Sequence, residues 1–204
     1  MIQTAIQPDR LTLTLELPHS IALNVTPEQF EALAIANRDL RLERTNQGEL
    51  IVNPPAGWES SRRNSSLTGQ LYSWHERNED LGETFESSGG FTLPSGAIRS
   101  PDASWVSRQR WDALTPEQKG TFPQICPDFV VELRSKSDSL SALQAKMREY
   151  LENGARLGWL LDPQNRRVEI YRLGRDVEVL ENPDRLSGED VLPGFVLNLR
   201  KLWE

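Results

Sequence analysis

Residues 11–17 alternate strictly between leucine and polar side chains, the period-two pattern of a strand with one buried face. The pattern then changes at Thr26-Pro27-Glu28-Gln29, which opens a helix. Thr26 caps the first turn, Pro27 suits the first helical position, and Gln29 can reach back to the cap. Phe30, Leu33 and Ala34 supply the apolar face. The same four residue types recur at Thr115-Pro116-Glu117-Gln118 and predict a second, short helix that Gly120 ends. Residues 40–44 and 49–53 read as two strands, and the polar link Thr45-Asn46-Gln47-Gly48 makes them a hairpin. After the break at Pro54-Pro55-Ala56-Gly57, residues 60–78 carry Leu67, Leu71 and Trp74 on one helical stripe. Short strands follow at 84–86, 91–93 and 103–106, and residues 129–133 read as the most buried strand of the chain. In residues 140–153, Leu140, Leu143, Met147 and Tyr150 recur at three- and four-residue spacing, and Gly154 stops the helix. Ser141 and Gln144 have capping-box spacing, which offers position 141 as an alternative start. Strands at 157–161 and 167–171 flank the turn Asp162-Pro163-Gln164-Asn165. A further strand lies at 177–180, and residues 191–197 with the Trp203 tail are expected to pack back onto the body.

This succession of strands, helix, strands, helix and strands predicts an α/β or mixed α+β fold, with one central sheet flanked by helices. The chain reads as a single domain over 1–204, with 1–40 as an N-terminal strand–helix arm.

Composition narrows the function class. A chain of 204 residues with 37% hydrophobic and 26% charged residues can build a core and is not disordered in character. No window approaches eighteen apolar residues, so no membrane span is expected. Residues 1–10 are polar and mixed, without a basic-then-apolar leader pattern, and the expected location is cytoplasmic and reducing. The single Cys126 excludes an intrachain disulfide, and only two histidines are present, so no Cys/His zinc constellation can form. A net charge of −7 argues against a surface coated in basic residues for nucleic acid. An acidic metal site beside a local basic groove remains compatible with that charge. Arg62 and Arg63 oppose the dipole at the start of their helix. They therefore serve either solvent or a group outside the helix, such as a phosphate.

Two acids sit in apolar, strand-like runs. Asp102 follows Ser100-Pro101, and Glu132 lies within Phe129-Val130-Val131-Glu132-Leu133. A buried carboxylate is costly unless something pairs with it, and a divalent cation is one such partner. Asp128 and Glu132 share a strand face, but their backbones lie ~13 Å apart, too far for one ion. Asp128, next to Pro127, is most simply a turn residue. Asp102 and Glu132 belong to different strands. If those strands are neighbours, side chains on one face approach to ~5 Å, and Mg²⁺ is satisfied by one or two carboxylates and several waters. The bland alternatives are a Glu132–Arg134 ion pair and a turn role for Asp102. Lys146 lies on the edge of the apolar stripe of residues 140–153, between Leu143 and Tyr150. From there it can either aim its ammonium at the sheet or extend to solvent.

The succession Ser-Pro-Asp102, Pro-Asp-Phe-Val-Val-Glu132-Leu-Arg-Ser, Lys146, Tyr150, Asn-Gly-Ala and Gly-Trp-Leu-Leu-Asp162-Pro163 resembles the Uma-type restriction endonucleases of the PD-(D/E)xK nuclease superfamily. The resemblance runs over residues 41–190 and is densest over 101–163. It implies a restriction-endonuclease-like mixed sheet flanked by helices, and Mg²⁺-dependent (or Mn²⁺-dependent) cleavage of DNA. It assigns Asp102 and Glu132 to the metal and to catalysis. The superfamily often adds an acid from the N-terminal region, for which Glu43 is the candidate and Glu49 the reserve. The motif lysine two residues after the second acid is here Arg134, a phosphate-clamping residue that cannot accept a proton. Lys146 then stands in for that lysine. An alternative is a catalytically inactive nucleic-acid or protein-interaction module on the same fold, and a third is a scaffold whose acids form ion pairs. Apolar residues on exposed strand edges leave room for a homodimer.

Overall fold

The computed structural model describes residues 22–204. The strand expected at 11–17 lies outside the described residues. Helix α1 (Pro27–Ala36) precedes the hairpin of β1 (Arg41–Arg44) and β2 (Leu50–Asn53). The long helix α2 (Trp58–His75) leads to β3 (Gly82–Glu86), β4 (Phe91–Thr92), β5 (Ile98–Arg99) and β6 (Ala103–Ser107). Two short helices, α3 (Arg108–Asp112) and α4 (Pro116–Lys119), bridge to β7 (Phe129–Leu133). Helix α5 (Leu140–Glu152) crosses to β8 (Leu157–Asp162), and β9 (Arg167–Arg172), β10 (Glu178–Glu181), β11 (Arg185–Ser187), β12 (Val196–Asn198) and α6 (Arg200–Trp203) follow.

Local chemistry sets the helix starts. Thr26 Oγ1 accepts from Gln29 N at 3.2 Å while Gln29 Oε1 accepts from Thr26 N at 2.9 Å. Thr115 and Gln118 repeat the reciprocal pair at 3.3 and 2.8 Å. Each pair satisfies two orphan amides of the first turn. Helix α5 is capped by Ser139, whose Oγ accepts from Ala142 N, so it starts ahead of Ser141. Helix α2 begins at Trp58, two residues earlier than expected, because Gly57 already serves as its N-cap. It ends at His75, where Asn78 Nδ2 donates to the Trp74 carbonyl at 2.7 Å and closes the last turn. Arg62 and Arg63 at its start reach the carbonyls of Lys201 and Leu202, at 3.2 and 2.8 Å. The group outside the helix that they serve is therefore α6.

Six strands form the central sheet in the order β10-β9-β8-β7-β6-β3. Only β7 and β8 among these run parallel, and α5 is the crossover that such a pair requires. A second sheet, β2-β1-β5-β4, carries the hairpin, and β11 pairs with β12. The alternation in β7 divides the core. Phe129, Val131 and Leu133 join Leu67, Leu71 and Trp74 of α2 and Phe195 in one cluster, where the Phe129 and Trp159 rings meet edge-on at 4.8 Å. Val130 joins Met147 and Tyr150 of α5, Leu160 and Tyr171 in the other. Glu132, in phase with Val130, faces α5. Gly158 on β8 lets α5 sit low on this face. A Cβ there would stand 2.5 Å from Met147 Cε and 3.3 Å from Val130 Cγ2. Close packing of α5 carries Lys146 and Tyr150 down to the sheet.

Candidate active site

Register explains how the two strand acids meet. Ala103 pairs with Val131 and Ser104 with Val130, so Asp102, one residue before β6, comes opposite Glu132 on the face toward α5. Asp102 Oδ2 accepts the Leu133 amide at 2.8 Å, which fixes its carboxylate beside the end of β7. A third acid arrives from the second sheet. Glu43 on β1 is buried, and its Oε1 accepts the Ser100 amide at 3.0 Å. Lys146 descends from α5 between two of these acids, with Nζ 2.8 Å from Glu43 Oε1 and 2.8 Å from Glu132 Oε1. Tyr150, one helical turn further on, donates its hydroxyl to Glu132 Oε1 at 2.9 Å. Asp102, Glu132, Glu43 and Lys146 all line one cleft of about 700 Å³, together with Arg41, Arg134 and the loop 53–57.

The other expected positions fall elsewhere. Glu49 is exposed and lies outside the cleft, so the hairpin contributes Glu43 alone. Arg134 lines the cleft but is held by Asp162, Nη1 to Oδ2 at 2.7 Å, so the Glu132–Arg134 pair does not form. Asp128 is more than a turn residue. It is buried, accepts the Ser107 amide at 2.8 Å and pairs with Arg110 at 3.0 Å, which locks the end of β6 to α3.

A family model matches residues 27–200, most of the chain, and is described as Uma2, "Putative restriction endonuclease". The chain belongs to the Uma2 family. No curated protein matches it. Among solved structures it is similar to a protein from Anabaena variabilis ATCC 29413 described as a "putative nuclease" of DUF820. The TM-score is 0.67 and the identity 22%, over 79% of this chain and 89% of that one. At that identity the likeness speaks for a shared fold, and the mixed sheet with its flanking helices is that fold.

In this Uma2 chain the cleft concentrates negative charge where water is scarce. Burial raises the Glu132 carboxyl, the Lys146 ammonium pulls it back only in part, and the charges of Asp102 and Glu43 add to the rise, which leaves it at about 7. Burial also lifts Asp102 above its usual range, against the Leu133 amide, Lys146 and Arg41. Glu43 goes the other way. Burial pushes it up, but Lys146 and then Arg99, whose Nη1 lies 3.3 Å from Glu43 Oε2, hold it below its ordinary value. Lys146 is buried too, yet Glu132 and Glu43 outweigh that penalty and hold its ammonium protonated far into the alkaline range.

One buried acid nearby shows what a closed carboxylate looks like in this family member. Glu169 on β9 stands in the same cross-strand row, beyond Leu160, which pairs with both Glu132 and Glu169. Both its oxygens are taken, Oε1 by Gln144 at 2.8 Å and Oε2 by Gln144 at 3.1 Å and by the Tyr171 hydroxyl at 2.7 Å. By contrast, among the described residues every hydrogen bond and ion pair to Glu132 falls on Oε1. Asp102 Oδ1 has only Arg41, at 3.5 Å, longer than a charge-assisted bond. Both side chains line the cleft. Among the described residues no three His, Cys, Asp or Glu side chains could hold a metal by themselves. A pair of carboxylates with surplus charge and hard oxygen donors fits Mg²⁺ or Mn²⁺, which keeps most of its waters, and not zinc or copper.

Arg99 and Tyr150 are the parts of the site that sequence reading undervalued. Tyr150 was legible as a member of the inward stripe, and only its hydroxyl partner was not. Arg99, which also pairs with Glu149 at 2.6 Å, sits on a two-residue strand that carries no periodic signal.

Proposed function

We propose that this protein is a metal-dependent endonuclease that hydrolyses DNA phosphodiester bonds. The observation that carries the reading is the convergence of Glu132 on β7, Glu43 on β1 and Asp102 just ahead of β6 on one cleft, with Lys146 Nζ 2.8 Å from two of them. Asp102 and Glu132 would hold a divalent cation of the Mg²⁺ or Mn²⁺ class. When bound, such a cation supplies a water of lowered pKa and neutralises charge on the phosphate.

The chain's own groups divide the remaining work. Glu43, fixed by Ser100 and Arg99, anchors Lys146. Lys146 carries three donors; two point at Glu43 and Glu132, and the third is left for the attacking water or a phosphate oxygen. Because its neighbours keep it charged, it acts as a donor and a stabiliser of developing negative charge, not as a base. Tyr150 holds Glu132 in place through Oε1. Arg134, tethered to Asp162 and to the Asp138 carbonyl, offers its Nη2 to a phosphate on the cleft wall. In the step itself a water oxygen adds to phosphorus and gives up a proton to solvent, one P–O ester bond breaks, and the departing oxygen takes a proton from solvent.

The test is a cleavage panel of plasmid, linear duplex, single-stranded DNA and RNA in Mg²⁺ or Mn²⁺, against the same panel in EDTA. The expected result is DNA cleavage in either metal and none in chelator. Cleavage that persists in EDTA, or none on any substrate, contradicts the proposal.

A further inference from the structure

Trp58 is 94% exposed, the most open of the large apolar side chains among the described residues. A single exposed apolar residue is ordinary. Its position is not, because Trp58 lines the same cleft as Asp102, Glu132 and Lys146. It is also firmly presented. Pro54 and Pro55 stiffen the approach, Gly57 caps the helix, and Trp58 is the first residue of the eighteen-residue α2. The next residue, Glu59, pairs with Arg63 at 3.6 Å and with Lys136 at 3.4 Å, on the loop that leaves β7 just after Glu132. The indole therefore stands exposed on the wall of an acidic cleft that Arg63, Lys136 and Arg134 also line.

We propose that Trp58 is a stacking platform for an unpaired nucleobase, and that the substrate is a single-stranded or locally unpaired stretch whose phosphate reaches the carboxylates. The proposal rests on the nuclease reading and names its substrate class. Every base has a π-face that an indole can cover, whereas in a duplex those faces are already covered by neighbouring pairs. The cationic side chains that share the cleft with the ring can track the backbone of one strand. Net charge points the same way. At −7, the protein meets less repulsion from a single strand than from a duplex, which carries about twice the charge per unit length.

The test is fluorescence anisotropy of one end-labelled oligonucleotide, as a single strand and as a duplex, with the full chain in EDTA so that nothing is cut. Wild type, Trp58→Ala and Trp58→Phe are compared, with sedimentation velocity alongside. The alanine variant is expected to weaken single-strand binding about tenfold, the phenylalanine variant to restore most of it, and duplex binding to stay unchanged. Equal effects on both forms, no effect on either, or no single-strand binding by wild type overturns the proposal. So does loss of self-association in Trp58→Ala with nucleic-acid affinity intact, which would assign the ring to a protein interface. If the tenfold loss is seen but no metal-dependent cleavage exists, the nuclease reading falls and the platform stands. If cleavage exists and the loss is absent, the reverse holds.

Discussion

Glu132→Gln is expected to abolish metal-dependent cleavage, by about a hundredfold or more, and at the same time to stabilise the metal-free protein above neutral pH. The two effects have one origin. The buried Glu132 carboxyl is raised to about 7, so the fold favours its protonated form. A carboxyl with a raised folded pKa gives stability that is complete below its unfolded value near 4.5 and is lost as pH rises through about 7. Metal-free wild type should therefore weaken between pH 4.5 and pH 8, by on the order of 3 kcal/mol from this group. Glutamine has the same shape and keeps a carbonyl for the Tyr150 hydroxyl and for Lys146, but it has no charge to suppress. Thermal unfolding of both proteins in EDTA across that pH range, with cleavage in Mg²⁺ alongside, reads both effects. A variant that melts lower at pH 8 contradicts the electrostatics, and one that cleaves normally removes Glu132 from the chemistry.

Lys146→Met should do the opposite to stability. The ammonium is the largest stabilising influence on the charged forms of both Glu43 and Glu132. Its removal leaves two carboxylates in a buried cleft with Arg99 as the remaining close cation, on Glu43 only. Breaking a buried pair in this way costs about 3–5 kcal/mol. The loss should be greatest near pH 8 and smaller near pH 5, where protons can replace the missing charge. Magnesium should return more stability to this variant than to wild type, because no ammonium competes for Glu132. Urea unfolding with and without Mg²⁺ measures the difference. Equal Mg²⁺ effects in the two proteins would show that the ion does not sit where Lys146 reaches. Cleavage should be lost in either case.

Much of this was legible because burial leaves a periodic trace. Phe129-Val130-Val131-Glu132-Leu133 announces a buried strand with one unexplained charge, and all five residues are buried. The stripe of 140–153 predicted a helix whose edge presents Lys146, and α5 occupies 140–152. The two Thr-Pro-Glu-Gln starts are capping boxes, as their spacing demands. Partnership across distance was not legible. Glu43 meets Ser100 and Lys146 across 57 and 103 residues, and a period-two pattern says nothing about which strands are neighbours. Arg134 and Asp162 each stood out in the sequence, one as a phosphate clamp and one as a turn residue. That they satisfy each other follows only from the parallel pairing of β7 with β8. Strands of two or three residues, β5 and β11, are too short to show a period, and Arg99 was hidden with the first of them.

Among the described residues no helix is long and apolar enough to cross a membrane. Metal-dependent cleavage requires Asp102 and Glu132 to grip one divalent ion. Anomalous diffraction from crystals grown with Mn²⁺ tests it most directly. A single strong anomalous peak is expected about 2 Å from an oxygen of each carboxylate, absent from crystals of Glu132→Gln. A peak elsewhere, or none between these two side chains at saturating Mn²⁺, would contradict it.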